Sequence, residues 1–300
     1  MDSGLSLREP RNDETGVHME TIGSQKIWSF FDRRGCQVAK NSAVREGPGH
    51  RVGSYLELAT KIAELQFLNR DHVLLFRGQG ADFKNIKRNS SLKPTLFRGG
   101  RGNPDQATLV ERFEALRRAE QVLIAEYAKA ELLGLERLKR HRILRWSILQ
   151  HYEVCTTPLL DVTHSIRIAA SFASLAETGT AFLYVLGVPN LSAAITASAE
   201  AGLQIVRLSS VCPPSAVRPH IQEGYLLGEY PEMSGTEQKE NYFPYEMDFG
   251  RRLVAKFTFA PPSFWKNDNF PQVTRSALYP SERSDPLFRL ALGVKKQLGG

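Results

Sequence analysis

The stretch Leu74-Leu75-Phe76-Arg77-Gly78-Gln79 sets an arginine and a glycine directly behind a short apolar run. Apolar runs of about four to eight residues bounded by turn-forming residues mark buried strands. His72 to Phe76 reads as such a strand, with Arg77-Gly78 as its sharp exit. An arginine at that place presents its guanidinium to a cleft, and the glycine lets the backbone turn or a ligand come close. The planar guanidinium fork suits bidentate phosphate recognition better than a lysine does. The plainer alternative is an arginine satisfied by core carbonyl groups.

Helical signals dominate the sequence around this strand. Ser54 and Glu57 form a capping box, and Tyr55, Leu58, Ile62 and Leu65 share one helical face. Leu109, Phe113, Leu116, Leu123 and Tyr127 mark an amphipathic helix over about 105–133, and a second is expected over about 136–152. Leu159-Leu160-Asp161-Val162-Thr163 reads as a short strand, with Thr163 or Ser165 free to cap the helix behind it. That helix carries Ile168, Phe172 and Leu175, while small Ala169, Ala173 and Ala176 allow close packing. Strands are expected at 181–188, about 203–208, 221–227 and 252–259. Helices first and strands later predict an α+β fold in a single mixed domain, helical in its N-terminal half and strand-rich in its C-terminal half. Residues 1–24 are polar and predict a disordered tail, and 40–53 and 229–248 read as looser patches. The domain is expected over 25–300, with its core at 53–293.

Composition narrows the function classes. Hydrophobic residues make up 42% and charged residues 24%, enough for a sizeable core. No apolar run approaches the roughly 20 residues that span a bilayer. Residues 1–24 lack the basic-then-apolar layout of a signal peptide, so a cytoplasmic protein without membrane contact is expected. Cys36, Cys155 and Cys212 show no paired spacing, which argues against a disulfide framework or a zinc site and for free thiols. The net charge of +7 suits a polyanionic partner, whether nucleic acid or a dinucleotide. The densest basic cluster, Arg137, Lys139, Arg140, His141, Arg142 and Arg145, reads as a solvated helix face or a phosphate contact. No interleaved aromatics support base stacking there.

A second group of motifs begins at Trp146-Ser147-Ile148-Leu149-Gln150-His151-Tyr152 and continues through Pro158-Leu159-Leu160-Asp161-Val162-Thr163 to Ala169-Ala170-Ser171-Phe172-Ala173. Together with the Phe-Arg-Gly triplet, this series resembles the FRG domain. Members carry the triplet, then a Ser-Leu-x-Pro segment ending in arginine, matched by Ser91-Leu92-Lys93-Pro94 through Arg98. A Gln-His-Tyr-Gly segment follows, leading into Thr-Arg-Leu-Leu-Asp-Trp-Thr and an alanine-rich helix. A later Arg-x-x-x-Gln-x-Gly element is matched by Arg218, Gln222 and Gly224, and a Leu-Phe-Pro element is echoed by Leu278-Tyr279-Pro280. The resemblance covers roughly 53–293. Glu153 stands at the usual glycine, Pro158 at the usual arginine and Val162 at the usual tryptophan.

The order of motifs is similar to that of the ADP-ribosyltransferase fold, and the resemblance implies NAD as co-substrate. Arg77 would contact the dinucleotide, with Gln79, Tyr152, Asp161 and Thr163 completing the binding site. Asp161-Val162-Thr163 would form the nicotinamide-pocket strand, with Tyr152 as a stacking wall. Gln222 or Glu223 would stabilise the ribose cation, and only one of the two lines the cleft if both lie on a strand. His151 is the expected acid or base, held by a hydrogen bond and not by metal. The acceptor of ADP-ribose would be a nucleic acid or a protein, in a toxin or defence effector. Two other readings remain open: a non-catalytic module that binds a nucleotide or polyanion, and a metal-independent nucleic-acid hydrolase.

Overall fold

In a computed structural model of the chain, the described residues are 22, 25–31, 35–99, 102–176, 179–238, 248–266 and 269–299. The expected N-terminal tail lies outside them except for Ile22, as does 239–247 of the 229–248 patch. Two short strands, β1 (Lys26–Ser29) and β2 (Gln37–Lys40), pair antiparallel by themselves. There follow α1 (Asn41–Glu46), β3 (His50–Arg51), α2 (Tyr55–Leu68) and β4 (Val73–Gln79). A helical section comes next: α3 (Gln106–Lys129), α4 (Leu135–Arg140) and α5 (Arg142–His151). The chain continues through β5 (Leu160–Thr163), α6 (Ile166–Ala173), β6 (Ala181–Val188), β7 (Ile195–Ser198) and β8 (Leu203–Arg207). The remaining elements are α7 (Leu208–Val211), α8 (Val217–Ile221), β9 (Gly224–Glu229), β10 (Leu253–Phe259), α9 (Pro261–Phe264), α10 (Arg275–Leu278) and α11 (Pro286–Gln297).

Eight strands form one sheet in the order β3-β10-β6-β4-β5-β9-β8-β7, antiparallel throughout except where β3 joins β10 in parallel. The fold is α+β. One apolar cluster runs from Ile22 to Val294 and takes in residues from helices and strands alike. The central strand β6 is buried along nearly its whole length, which is why its sequence is a continuous apolar run without alternation. Ser54 caps α2 by accepting from the Glu57 amide, while the Glu57 carboxylate accepts from the Gly53 amide.

Three expectations need correction. Strand β4 does not turn away at Arg77-Gly78 but continues to Gln79, paired with β6 throughout. Gly78 serves packing: a Cβ there would lie 1.7 Å from the Ala169 carbonyl oxygen of α6. Glycine on the strand and alanines on the helix thus bring the two backbones together. The helix expected over about 136–152 is interrupted at His141, whose extended backbone separates α4 from α5. Arg145 also leaves the expected solvated face. It is buried, and its Nε donates to Glu120 at 2.7 Å beside the Trp146 indole N–H, which donates to the same carboxylate at 2.8 Å.

Candidate functional site

Strands β4 and β5 are joined by a single residue pair, Phe76 with Thr163. Beyond it, Arg77-Gly78 and Asp161-Val162 run past one another without ladder bonds and flank a cleft of about 470 Å³. Arg77, His151, Asp161, Thr163 and Gln222, far apart in sequence, all line it. So do Arg218, Arg275, Tyr279 and Phe172.

Arg77 reaches across the parting. Its Nη1 donates to the Asp161 backbone carbonyl at 2.5 Å, while its buried Nε has no protein partner. Burial and the nearby Arg98 cation lower its pKa, which Asp161 partly offsets. Arginine remains charged regardless.

Asp161 is the hub of the site. One carboxylate oxygen accepts from the Gln150 amide at 2.6 Å, and the other lies 3.5 Å from His151 Nδ1. The Gln150 carbonyl in turn accepts from the Thr157 hydroxyl, which fixes which end of the amide faces Asp161. Burial acts to raise the Asp161 pKa, but His151, Gln150 and Arg77 outweigh it, and the group is held below its ordinary value. His151 ends α5 and is 2% exposed. Burial lowers its pKa, so the ring is neutral near neutral pH. The neutral ring has one donor and one acceptor nitrogen. Donation from Nδ1 to Asp161 leaves Nε2 as the acceptor, and Nε2 has no protein partner. Gly224 makes room for Leu208, whose Cδ1 a Cβ there would meet at 2.8 Å, while His151 Cε1 would be an ordinary contact at 3.5 Å.

The other expected residues are placed differently. The Tyr152 ring does not line the cleft. It is buried, stacked on Phe288, and its hydroxyl donates to Asp285 at 2.9 Å. A ring one residue after His151 on a helix end points about a quarter-turn away, toward the core. Tyr279 takes the aromatic position instead, with the Arg218 guanidinium 4.7 Å from its centroid. Gln79 lies on the wall of a second cavity. Gln222 and Glu223 are not on a strand: Gln222 ends α8, and Glu223 occupies the left-handed region with φ +45°. Gln222 is buried, donates to the Leu278 carbonyl at 2.7 Å and lines the cleft, whereas Glu223 is exposed outside it. Thr163 lines the cleft, but its hydroxyl donates to the Gln222 carbonyl at 2.7 Å and so holds β5 to the end of α8. Sequence reading missed Arg275 and Tyr279 as lining residues and gave Arg218 no role.

Glu153, at the family's glycine position, also has positive φ, +56°. A left-handed turn, the conformation that favours glycine, thus follows the end of α5. Here a glutamate adopts it, tied by its carboxylate to Arg218 at 2.9 Å. Among the described residues no group of three or more His, Cys, Asp or Glu is placed to hold a metal ion, and no helix is long and apolar enough to cross a membrane. All three cysteines are free, and burial raises their pKa values, Cys155 and Cys212 to about 12.

A family model for the FRG domain matches residues 72–180. The chain carries an FRG domain. The matched span begins just before β4 and ends just before β6, so it supplies Arg77, Gly78, His151, Asp161 and Thr163. Arg218, Gln222, Arg275 and Tyr279 reach the cleft from beyond that span, so the residues that complete the site lie outside the FRG match. No curated protein and no solved structure matches the chain.

Proposed function

We propose that this cleft binds NAD, breaks its nicotinamide–ribose bond and passes ADP-ribose to an acceptor. The observation that carries the reading is the gathering, in one cleft, of an ionised carboxylate, a neutral imidazole and three arginines. The order of motifs, which is similar to that of ADP-ribosyltransferases, supports it as well.

The chemistry divides among these groups. Arg77 and Arg275 take the pyrophosphate oxygens, since guanidinium forks pair with two oxygens at once. Tyr279 and Phe172 offer aromatic faces to the rings. The C1′–nitrogen bond breaks with its electron pair leaving on nicotinamide, and positive charge develops on the ribose. A preorganised carboxylate stabilises such charge far better in a cleft than in water. Asp161 fills that role better than Gln222, whose amide is engaged with Leu278, or Glu223, which lies outside the cleft. The acceptor's nucleophile then bonds to C1′, and its proton passes to His151 Nε2, the lone pair left without a partner. Asp161 orients the imidazole and stabilises its protonated form. NAD consumption of this kind suits a toxin or defence effector.

The test is release of free nicotinamide from NAD, measured beside NAD binding by calorimetry. Release that depends on Asp161 and His151 supports the reading. NAD binding without release would leave a nucleotide-binding module, and neither would leave the reading without support.

A further inference from the structure

A second cavity, about 740 Å³, opens at Gln79, two residues along β4 from Arg77. Lys84, Lys87, Lys93 and Arg98 line it, and among its described lining residues there is no carboxylate. Asp82 pairs with Lys84 at 3.9 Å and is engaged more closely by Lys256 at 3.0 Å and by the Ser90 and Tyr184 hydroxyls. Phe83 is 61% exposed on the same wall, and Arg98 is close enough to Arg77 and Asp161 to act on both charges.

We propose that this cavity binds single-stranded nucleic acid. Four cations on a wall whose described lining residues include no carboxylate suit a polyanion. A phenylalanine held in solvent among them offers a flat apolar face, the pairing of charge and ring that tracks a strand with unstacked bases. A duplex hides its base faces from such a ring, and an acidic peptide or free phosphate supplies charge without stacking. On the transferase reading the bound strand is also the acceptor, because the cavity adjoins the NAD cleft along β4. That second part rests on the reading above.

The experiment is fluorescence anisotropy with a labelled single-stranded oligonucleotide of mixed sequence, titrated at several salt concentrations. Three to four phosphate contacts give a slope of log affinity on log salt of about −2 to −3. Lys87→Ala should shrink that slope by about 0.7. Phe83→Ala should weaken binding roughly tenfold. Both side chains are exposed, so the variants should fold, and Phe67→Ala, at an exposed phenylalanine outside the cavity, should change nothing. Absence of binding, or binding that Phe83→Ala leaves intact and that a polyanion without bases displaces equally well, overturns the site. Adding NAD separates the two parts. Nicotinamide release without an ADP-ribosylated oligonucleotide overturns the acceptor role, whereas oligonucleotide binding without nicotinamide release defeats the transferase reading and leaves the nucleic-acid site standing.

Discussion

Arg77 Nη1 donates to the backbone carbonyl of Asp161 at 2.5 Å, across the place where β4 and β5 part. The guanidinium substitutes for a ladder bond that the diverging strands do not make, and its position at the cleft follows from that. On the proposed reading, structural and binding roles coincide in this one side chain. Arg77→Lys keeps the charge but loses the fork. It should lower the melting temperature and also weaken NAD binding roughly 10- to 100-fold, since a hydrogen bond to a charged group is worth about 1.5–3 kcal/mol. Calorimetry and thermal denaturation of both proteins check this. A lowered melting temperature with unchanged affinity would leave Arg77 a purely structural residue.

Tyr152 belongs to the core and not to the cleft. Its hydroxyl donates to Asp285, which also accepts from the amides of Arg218, Leu287 and Phe288 and so anchors α8 and α11 together. Tyr152→Phe should cost about 1.5–3 kcal/mol in denaturant unfolding. NAD affinity should stay the same. A variant of full stability and weakened NAD binding would return Tyr152 to the site.

Gly78 and Gly293 make opposite predictions for the same substitution. A Cβ at Gly78 meets the Ala169 carbonyl at 1.7 Å and the Ala173 nitrogen at 2.8 Å, both backbone atoms that cannot swing aside. Gly78→Ala should destabilise the chain by about 3 kcal/mol or more. At Gly293, within α11, a Cβ meets nothing within 4 Å, and Gly293→Ala should stabilise by about 0.5–1 kcal/mol. Chemical denaturation of the pair decides whether α6 packs on β4 as described.

Burial holds the His151 pKa below 6.5, with Asp161 and Asp285 opposing and Arg218 reinforcing the shift. The unfolded chain therefore takes up this proton first as pH falls, and the folded state loses stability from about pH 6.5 downward until the folded pKa is reached. Asp161, depressed from 3.8, contributes its loss only below that value, outside the range of about pH 7 to 5. His72 is also depressed by burial, so the informative quantity is a difference between proteins. The melting temperature of His151→Gln should fall less than that of the wild type between about pH 7 and 5. Parallel curves would contradict the neutral, buried imidazole.

Much of this was legible in the sequence, for reasons that differ by residue. Apolar runs and caps locate β6, α2 and α3, because local patterning decides them. The FRG motif series puts Arg77, His151 and Asp161 together. The role of Gly78 was not legible: glycine signals a turn and a close approach alike, and only the position of α6 distinguishes them. Tyr152 was misread because a helix end sends adjacent side chains in different directions. Arg275 carries no local signal, and Tyr279 stands in the Leu278-Tyr279-Pro280 echo without a sign that it meets the cleft, because both reach it through the packing of α10 against α8. Gln222 and Glu223 were expected on a strand because the break between α8 and β9 depends on the left-handed backbone at Glu223, a conformation that glutamate does not announce.

The central claim is that the Asp161 carboxylate stabilises positive charge on the ribose of bound NAD. Asp161→Asn keeps the size and one acceptor oxygen for Gln150 or His151 but removes the charge. The decisive measurement is nicotinamide release from NAD by the wild type and by this variant, with NAD affinity measured alongside. The expected result is release by the wild type, and in Asp161→Asn a rate lower by about 100-fold or more with affinity changed far less. Equal rates in the two proteins, or no nicotinamide from the wild type at saturating NAD, would contradict it.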